Sequence, residues 1–249
     1  MLRRSRSEQY TVDEENPYWI SFSDLMSGLL IVFILAAVAL IIELTQTQQK
    51  IESDIQELKN AEQARRDILY EVRDELLRKD VLVEVADNDT VLRVPEQTLT
   101  FASNSDEIPR DLRVRNAVKS IGIALHHAIN KPLNENAESK MRFQYLDTVF
   151  IEGHTDSLPT RRDKGNWGLS SYRAISLWEY WHDTVSLKPK FNDMVNAYGI
   201  KLFSVSGYAA SRRTQIIENT ANQRKRNRRI DIRFTIKRPS IADLEEIGK

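Results

Sequence analysis

The chain has 249 residues, with 36 basic and 36 acidic side chains, a formal net charge of zero and no cysteine. A balanced charge argues against a general electrostatic role on nucleic acid, and no direct nucleic-acid partner is expected. Without cysteine there can be no disulfides, thiolate nucleophiles or Cys-based zinc sites.

In chain order, residues 1–18 form a polar tail that carries Arg3, Arg4 and Arg6. Residues 20–42 are the one stretch long and apolar enough to span a membrane, and 25–42 carry no charge. At 1.5 Å per residue such a run reaches about 27–35 Å, the thickness of a hydrocarbon core. Ala37-Val38-Ala39 resembles a signal cleavage site. The apolar run nevertheless outlasts the roughly 7–15 residues of a signal peptide and continues through Leu40, Ile41 and Ile42. A retained transmembrane helix over 19–42 is therefore expected, with Tyr18 and Trp19 at the interface. The three arginines place the N-terminus in the cytoplasm by the positive-inside rule. Everything after Ile42 then lies across the membrane, which in a bacterium is the periplasm.

Asp24 sits near the start of this span. A carboxylate at a helix centre costs about 2.5–3.5 kcal/mol on insertion scales, and less near an interface. Such a residue points to ion transfer or helix pairing.

Residues 43–79 are rich in Glu, Gln, Lys, Arg and Ala and contain no Gly or Pro, which predicts a continuous helical linker. Leu44, Ile51, Ile55, Leu58, Leu69, Val72 and Leu76 follow a three-four seam that Gln48, Glu62 and Arg65 interrupt. The seam predicts a short coiled coil, most simply a parallel homodimer; the alternative is a single helix packed on its own domain.

The period then changes. Residues 81–85 and 90–94 are β-rich around an Asp87-Asn88-Asp89 turn. A helix is predicted over 111–129, an insertion-like loop over 131–146 and a strand over 148–151. A second helix follows over 169–181, then strands over 202–205 and 230–236. This order predicts an α/β (α+β) domain over 80–238, with helices on one face of a small mixed sheet, and a tail over 239–249.

Four phrases stand out: Ile151-Glu152-Gly153-His154-Thr155-Asp156; Asn166-x-x-Leu169-Ser170-x-x-Arg173-Ala174; Val205-Ser206-Gly207-Tyr208; and Asn227-Arg228-Arg229-Ile230-Asp231-Ile232. Together, in this order, they resemble the OmpA-like peptidoglycan-binding domain over residues 81–238. Residue chemistry agrees. Asp156, on a loop after a strand, can accept an ammonium group, and Arg173 can hold a carboxylate in a two-pronged grip. That pair suits a zwitterion, and the resemblance implies the diaminopimelate of the peptide stem. It also makes Asp156 and Arg173 the central binding pair, with Asn166 and Leu169 shaping the pocket. Asn227, Arg228 and Arg229 match the family but are expected to serve fold and surface. The basic loop 157–165 and the expanded stretch 182–201 depart from the family pattern.

No enzyme is expected. His154-x-Asp156 supplies neither a nucleophile nor a metal, and the adjacent His126 and His127 point in different directions. No cofactor, metal or catalytic residue is predicted.

The phrase Trp19-Ile20-Ser21-Phe22-Ser23-Asp24-Leu25-Met26-Ser27 resembles the start of the membrane helix in MotB-type stator subunits. In that family the aspartate carries the coupling ion. The resemblance implies an ion-driven motor in the bacterial inner membrane, with a homodimer inside a pentameric MotA-like ring. H⁺ is favoured over Na⁺ as the transported ion. Ser27 is read mainly as a helix-packing residue. The short tail, the long linker and Ser23-Asp24-Leu25-Met26-Ser27-Gly28 look most like the B subunit of the Zorya anti-phage defence system. The alternatives are a flagellar MotB-type subunit and a passive peptidoglycan anchor without ion translocation.

Overall fold

The computed structural model describes residues 17–134 and 140–237. The arginines of the N-terminal tail and the tail 239–249 lie outside the described residues. Two compact units are present, 1–53 and 54–249.

Helix α1, Pro17–Leu77, runs without a break from the apolar segment through the linker. Its first part is long and apolar enough to cross a membrane. Large side chains from Tyr18 to Leu44 are exposed, as suits a helix whose solvent is lipid or a partner. Asp24 is exposed on this helix. Ser27 Oγ donates to the carbonyl of Ser23 at 2.7 Å, so its hydroxyl is satisfied within its own helix.

The linker seam divides in two. Leu44, Ile51 and Ile55 are exposed, whereas Leu69, Val72 and Leu76 are buried in the core of the C-terminal unit beside Ala61, Ala64 and Ile68. The sequence pattern left the seam two partners, a second copy or the chain's own domain. From Leu69 onward they take the second of these and pack on their own domain, where an apolar sheet face offers a near partner. Polar contacts hold this end of the helix in place. Arg142 Nη1 donates to Glu71 at 2.7 Å, Tyr70 Oη to Asp89 at 2.9 Å, and Arg65 Nε to the carbonyl of Asp89 at 2.9 Å.

The sheet contains β1 (Glu84–Ala86), β2 (Val91–Pro95), β3 (Leu146–His154), β4 (Phe203–Gly207) and β5 (Arg229–Ile236), in the order β1-β2-β5-β3-β4. All pairs are antiparallel except β3 with β4. Helix α2, Leu112–Ile129, is capped by Asp111, whose side chain accepts from the Arg113 amide at 2.7 Å. Helix α3, Gly165–Thr184, makes the crossover between the two parallel strands. Strand alternation separates two faces. Leu92, Val94, Val149, Ile151, Ile230, Ile232, Phe234 and Ile236 join the helices in one apolar core. The predicted α+β class and the helix-covered sheet are both present.

Helix α4, Ala221–Asn227, was not predicted, although Thr220 and Gln223 form a capping box that is legible in the sequence.

Two glycines set how closely α3 approaches the sheet. A Cβ on Gly153 would lie 1.9 Å from the backbone oxygen of Ser170, and one on Gly207 2.3 Å from Ser171 Oγ. Gly153→Ala should therefore push the helix off the strand at a cost of about 3 kcal/mol, the upper end for overpacking. The thermal midpoint, followed by circular dichroism, should fall by about 6–12 °C. An unchanged midpoint would show that the helix can move at no cost.

Candidate functional site

The end of β3, the first two turns of α3 and the residue before β5 converge on a pocket of about 500 Å³. All four sequence-predicted residues line it: Asp156, Asn166, Leu169 and Arg173. Two residues that sequence reasoning left out, Glu96 and Arg228, line it as well.

Asn166 holds the pocket loop by its side chain. Its Nδ2 donates to the carbonyls of Leu158 at 2.9 Å and Asp156 at 3.3 Å. The Leu158 amide in turn donates to Asp156 Oδ1 at 3.2 Å. Ser170 is fully buried and structural: it donates to the Trp167 carbonyl and accepts from the Ala209 amide, both at 3.0 Å.

Arg173 is buried and does not pair with Asp156. Its Nε donates to the Ser105 carbonyl at 2.9 Å and its Nη2 to the Ala102 carbonyl at 3.2 Å, over the ring of Phe101. The Nε–Nη2 edge is taken by backbone, so a ligand would meet the Nη1 end. Loss of hydration pushes the Arg173 guanidinium down to about 10, still charged at neutral pH.

The partner of Asp156 is Arg228, at 2.5 Å from Nη1 to Oδ2. Arg228 also takes Glu96 in a fork, at 2.7 and 2.8 Å. Its hydrogen bonds to Glu96 and then Asp156 raise it above the usual arginine value. The sequence reading gave Arg228 to fold and surface. A residue at the end of α4 enters the pocket only because β5 lies between β2 and β3, which no local pattern reveals. The pocket thus presents two carboxylates, Glu96 and Asp156, and three guanidiniums, Arg161, Arg173 and Arg228, in one concavity. The Thr155 hydroxyl is buried and has no hydrogen-bond partner among the described residues, so it adds a polar group that a ligand could satisfy.

The sequence model of the OmpA family matches residues 100–228, which include the pocket-lining segments from Phe101 to Arg228. The chain belongs to the OmpA family. No curated protein matches it significantly. Among solved structures, a MotB like protein from Desulfovibrio vulgaris is similar at 17% identity and a TM-score of 0.50, covering 72% of this chain and 95% of that one. The cell wall anchor of the T6SS from Pseudomonas aeruginosa is similar at 20% identity and a TM-score of 0.46, covering 69% and 99%. The periplasmic domain of Helicobacter pylori MotB is similar at 19% identity and a TM-score of 0.44, covering 67% and 88%. At these identities the likeness is one of fold.

On the sheet face away from the helices, this OmpA-family domain carries a second polar cluster. Glu152, His154 and Asp231 lie within metal-ligand spacing of one another and are buried. A cation does not fit there, because the oxygens already serve arginines. Arg93 donates twice to Asp231, at 3.0 and 3.1 Å, and Arg229 once at 3.0 Å. Arg233 Nε donates to both oxygens of Glu152, at 3.0 and 3.1 Å. Burial would raise both acids, but hydrogen bonds from these arginines hold them below the usual carboxylate range. Burial, reinforced by Arg229, outweighs the attraction of the acids and holds the His154 imidazole below its ordinary value. Burial does the same to His126.

The signs agree. Acids depressed in the fold contribute stability that is complete above their unfolded values, about pH 4, and lost as pH falls through the lower folded values. A histidine kept neutral loses stability once pH drops below about 6.5, where the unfolded imidazole takes a proton first. The thermal midpoint should therefore fall between pH 7 and pH 5, and fall less steeply in His154→Phe. An identical slope in the variant would show that His154 contributes nothing.

Proposed function

We propose that this chain is the membrane-anchored B-type subunit of an ion-driven rotary motor, clamped to peptidoglycan by its OmpA-family domain. One observation carries the reading. A single polypeptide holds both an apolar, span-length helix bearing Asp24 and a pocket with opposed fixed charges at Asp156 and Arg173. A zwitterionic stem peptide suits that pocket: its ammonium group meets Asp156, and its carboxylate meets the Nη1 end of Arg173. Leu169 offers an apolar wall to the aliphatic part.

The membrane helix starts at the cytoplasmic face and the domain lies in the periplasm. Two copies stand inside a ring of five MotA-like subunits. Ion binding neutralises Asp24, and a neutral carboxyl faces an apolar wall at lower cost than a charged one. Release on the other side restores charge and hydration. Alternation between two copies turns the ring, and the wall anchor supplies the fixed point against which torque acts. H⁺ is the favoured ion. Among motors of this kind we favour the Zorya defence type over the flagellar type, on the membrane phrase around Asp24 and the long regular linker. The domain acts as an anchor rather than an enzyme.

Two substitutions separate the halves of this proposal. Asp24→Asn should leave an assembled complex that has lost phage protection, measured by plating efficiency. Full protection in that variant would leave only a passive anchor. Arg173→Ala should weaken co-sedimentation of the full-length protein with purified sacculi by ~10-fold or more, the loss of a charge-assisted contact. Unaltered co-sedimentation would remove the pocket from wall binding.

A further inference from the structure

The sheet face away from the helices holds more than a buried charge cluster. Above it lies a cleft of about 750 Å³ lined by five arginines (93, 212, 213, 229 and 233) and one acid, Asp87. The chain as a whole is neutral, yet residues 208–233 hold eight basic side chains and two acids.

The internal acids do not absorb this charge. Asp231 is occupied by Arg93 and Arg229, and Glu152 by Arg233. Asp87 accepts from Arg233 at 3.1 Å and Arg93 at 3.4 Å. Three carboxylates thus serve three arginines. Arg212 meets Glu152 at 3.5 Å, and Arg213 meets Glu218 at 3.9 Å. Both acids hold closer partners: Glu152 has Arg233, and Glu218 accepts from the Ser157 amide at 2.9 Å. The cleft's five arginines thus meet four carboxylates, the contacts of Arg212 and Arg213 being the long ones, and one positive charge remains in surplus.

Arg212 is held in place, and the chain just beyond Arg213 is fixed. Arg212 lies over the ring of Tyr208, 3.7 Å from its centroid, and that ring stacks on buried His154. The Arg212 carbonyl accepts from Arg229 Nη2 at 2.9 Å. Beyond Arg213, the side chain of Asn227 grips the chain: its Oδ1 accepts from the amides of Thr214 and Gln215, each at 2.9 Å, and its Nδ2 donates to the Gln215 carbonyl at 2.7 Å. Asn227 is fully buried. Two guanidiniums from consecutive residues that line one cleft with three further arginines form an oxyanion receptor. A tetrahedral anion can take the two forks on different oxygens.

We propose that this cleft is a second ligand site, distinct from the Asp156–Arg173 pocket, and that it binds a phosphate group through Arg212 and Arg213. Free phosphate ion and the phosphodiester of a glycerophosphate lipid headgroup or polymer share this chemistry.

The test is calorimetric titration of the full-length protein in neutral detergent, at constant ionic strength set with chloride. The ligands are sodium phosphate and, separately, glycerophosphoglycerol. Saturable one-to-one binding of either is expected. Binding of the diester identifies a headgroup or polymer as the source, and binding of inorganic phosphate alone identifies the free ion. The double variant Arg212→Gln, Arg213→Gln should bind at least ~10-fold more weakly, as two charge-assisted forks are lost. Lysine at both positions should restore part of the affinity if the variant is folded. The variant Lys225→Gln, Arg226→Gln removes the same charge outside this cleft and should bind as the parent does. Absence of saturable binding for both ligands, or an equal loss in the Lys225/Arg226 variant, would overturn the proposal. Sacculus binding should persist in the Arg212/Arg213 double variant, which keeps this outcome separate from the wall-anchor reading.

Discussion

The contact on which the C-terminal domain depends is the approach of α3 to the ends of β3 and β4. Gly153 and Gly207 let the backbone at Ser170 and Ser171 come closer than any side chain would permit. Ser170 then closes the joint, donating to its own helix and accepting from the Ala209 amide beyond β4. Because the helix is seated there, Asn166, Leu169 and Arg173 project over the turn that carries Asp156. The pocket is thus a consequence of one helix–sheet distance. Its side chains need no flexible search, since Asn166 and Arg173 are both tied to backbone carbonyls.

The same sheet solves an electrostatic problem on its other face. The β3–β5 register places Glu152 directly opposite Asp231, an arrangement of like charges that is destabilising by itself. Both are buried, where an unpaired charge would cost several kcal/mol, on the order of the penalty for any desolvated ion. Arg93, Arg229 and Arg233 neutralise them from strands β2 and β5. Such a layer adds little net stability compared with an apolar one. It does tie β2, β5 and β3 in one register, because a slip of one residue would move every member to the wrong face.

One helix serves two solvents. The apolar part of α1 exposes its large side chains, while the part from Ala61 to Leu76 closes the core of the domain. The linker seam is therefore free for a partner only in its first half, at Leu44, Ile51 and Ile55.

Much of this was legible from residue order. A run of 18 uncharged apolar residues determines a membrane-competent helix by length and composition alone, and it makes Asp24 conspicuous. Periods of two and of three to four placed the strands and helices of the α+β domain, since alternation along an element is a local property. The phrases around Asp156 and Arg173 marked a pocket whose four predicted residues do meet. Other features depended on which strands become neighbours. Arg228 reaches Asp156 and Glu96 because β5 inserts between β2 and β3, more than seventy residues away along the chain. The sharing of the linker seam between core and surface was equally hidden, because an apolar stripe does not say which apolar surface will cover it. The five-arginine cleft follows the same rule. Charge can be counted in a sequence, but whether a guanidinium is already neutralised is decided only when strand register brings its carboxylate within reach.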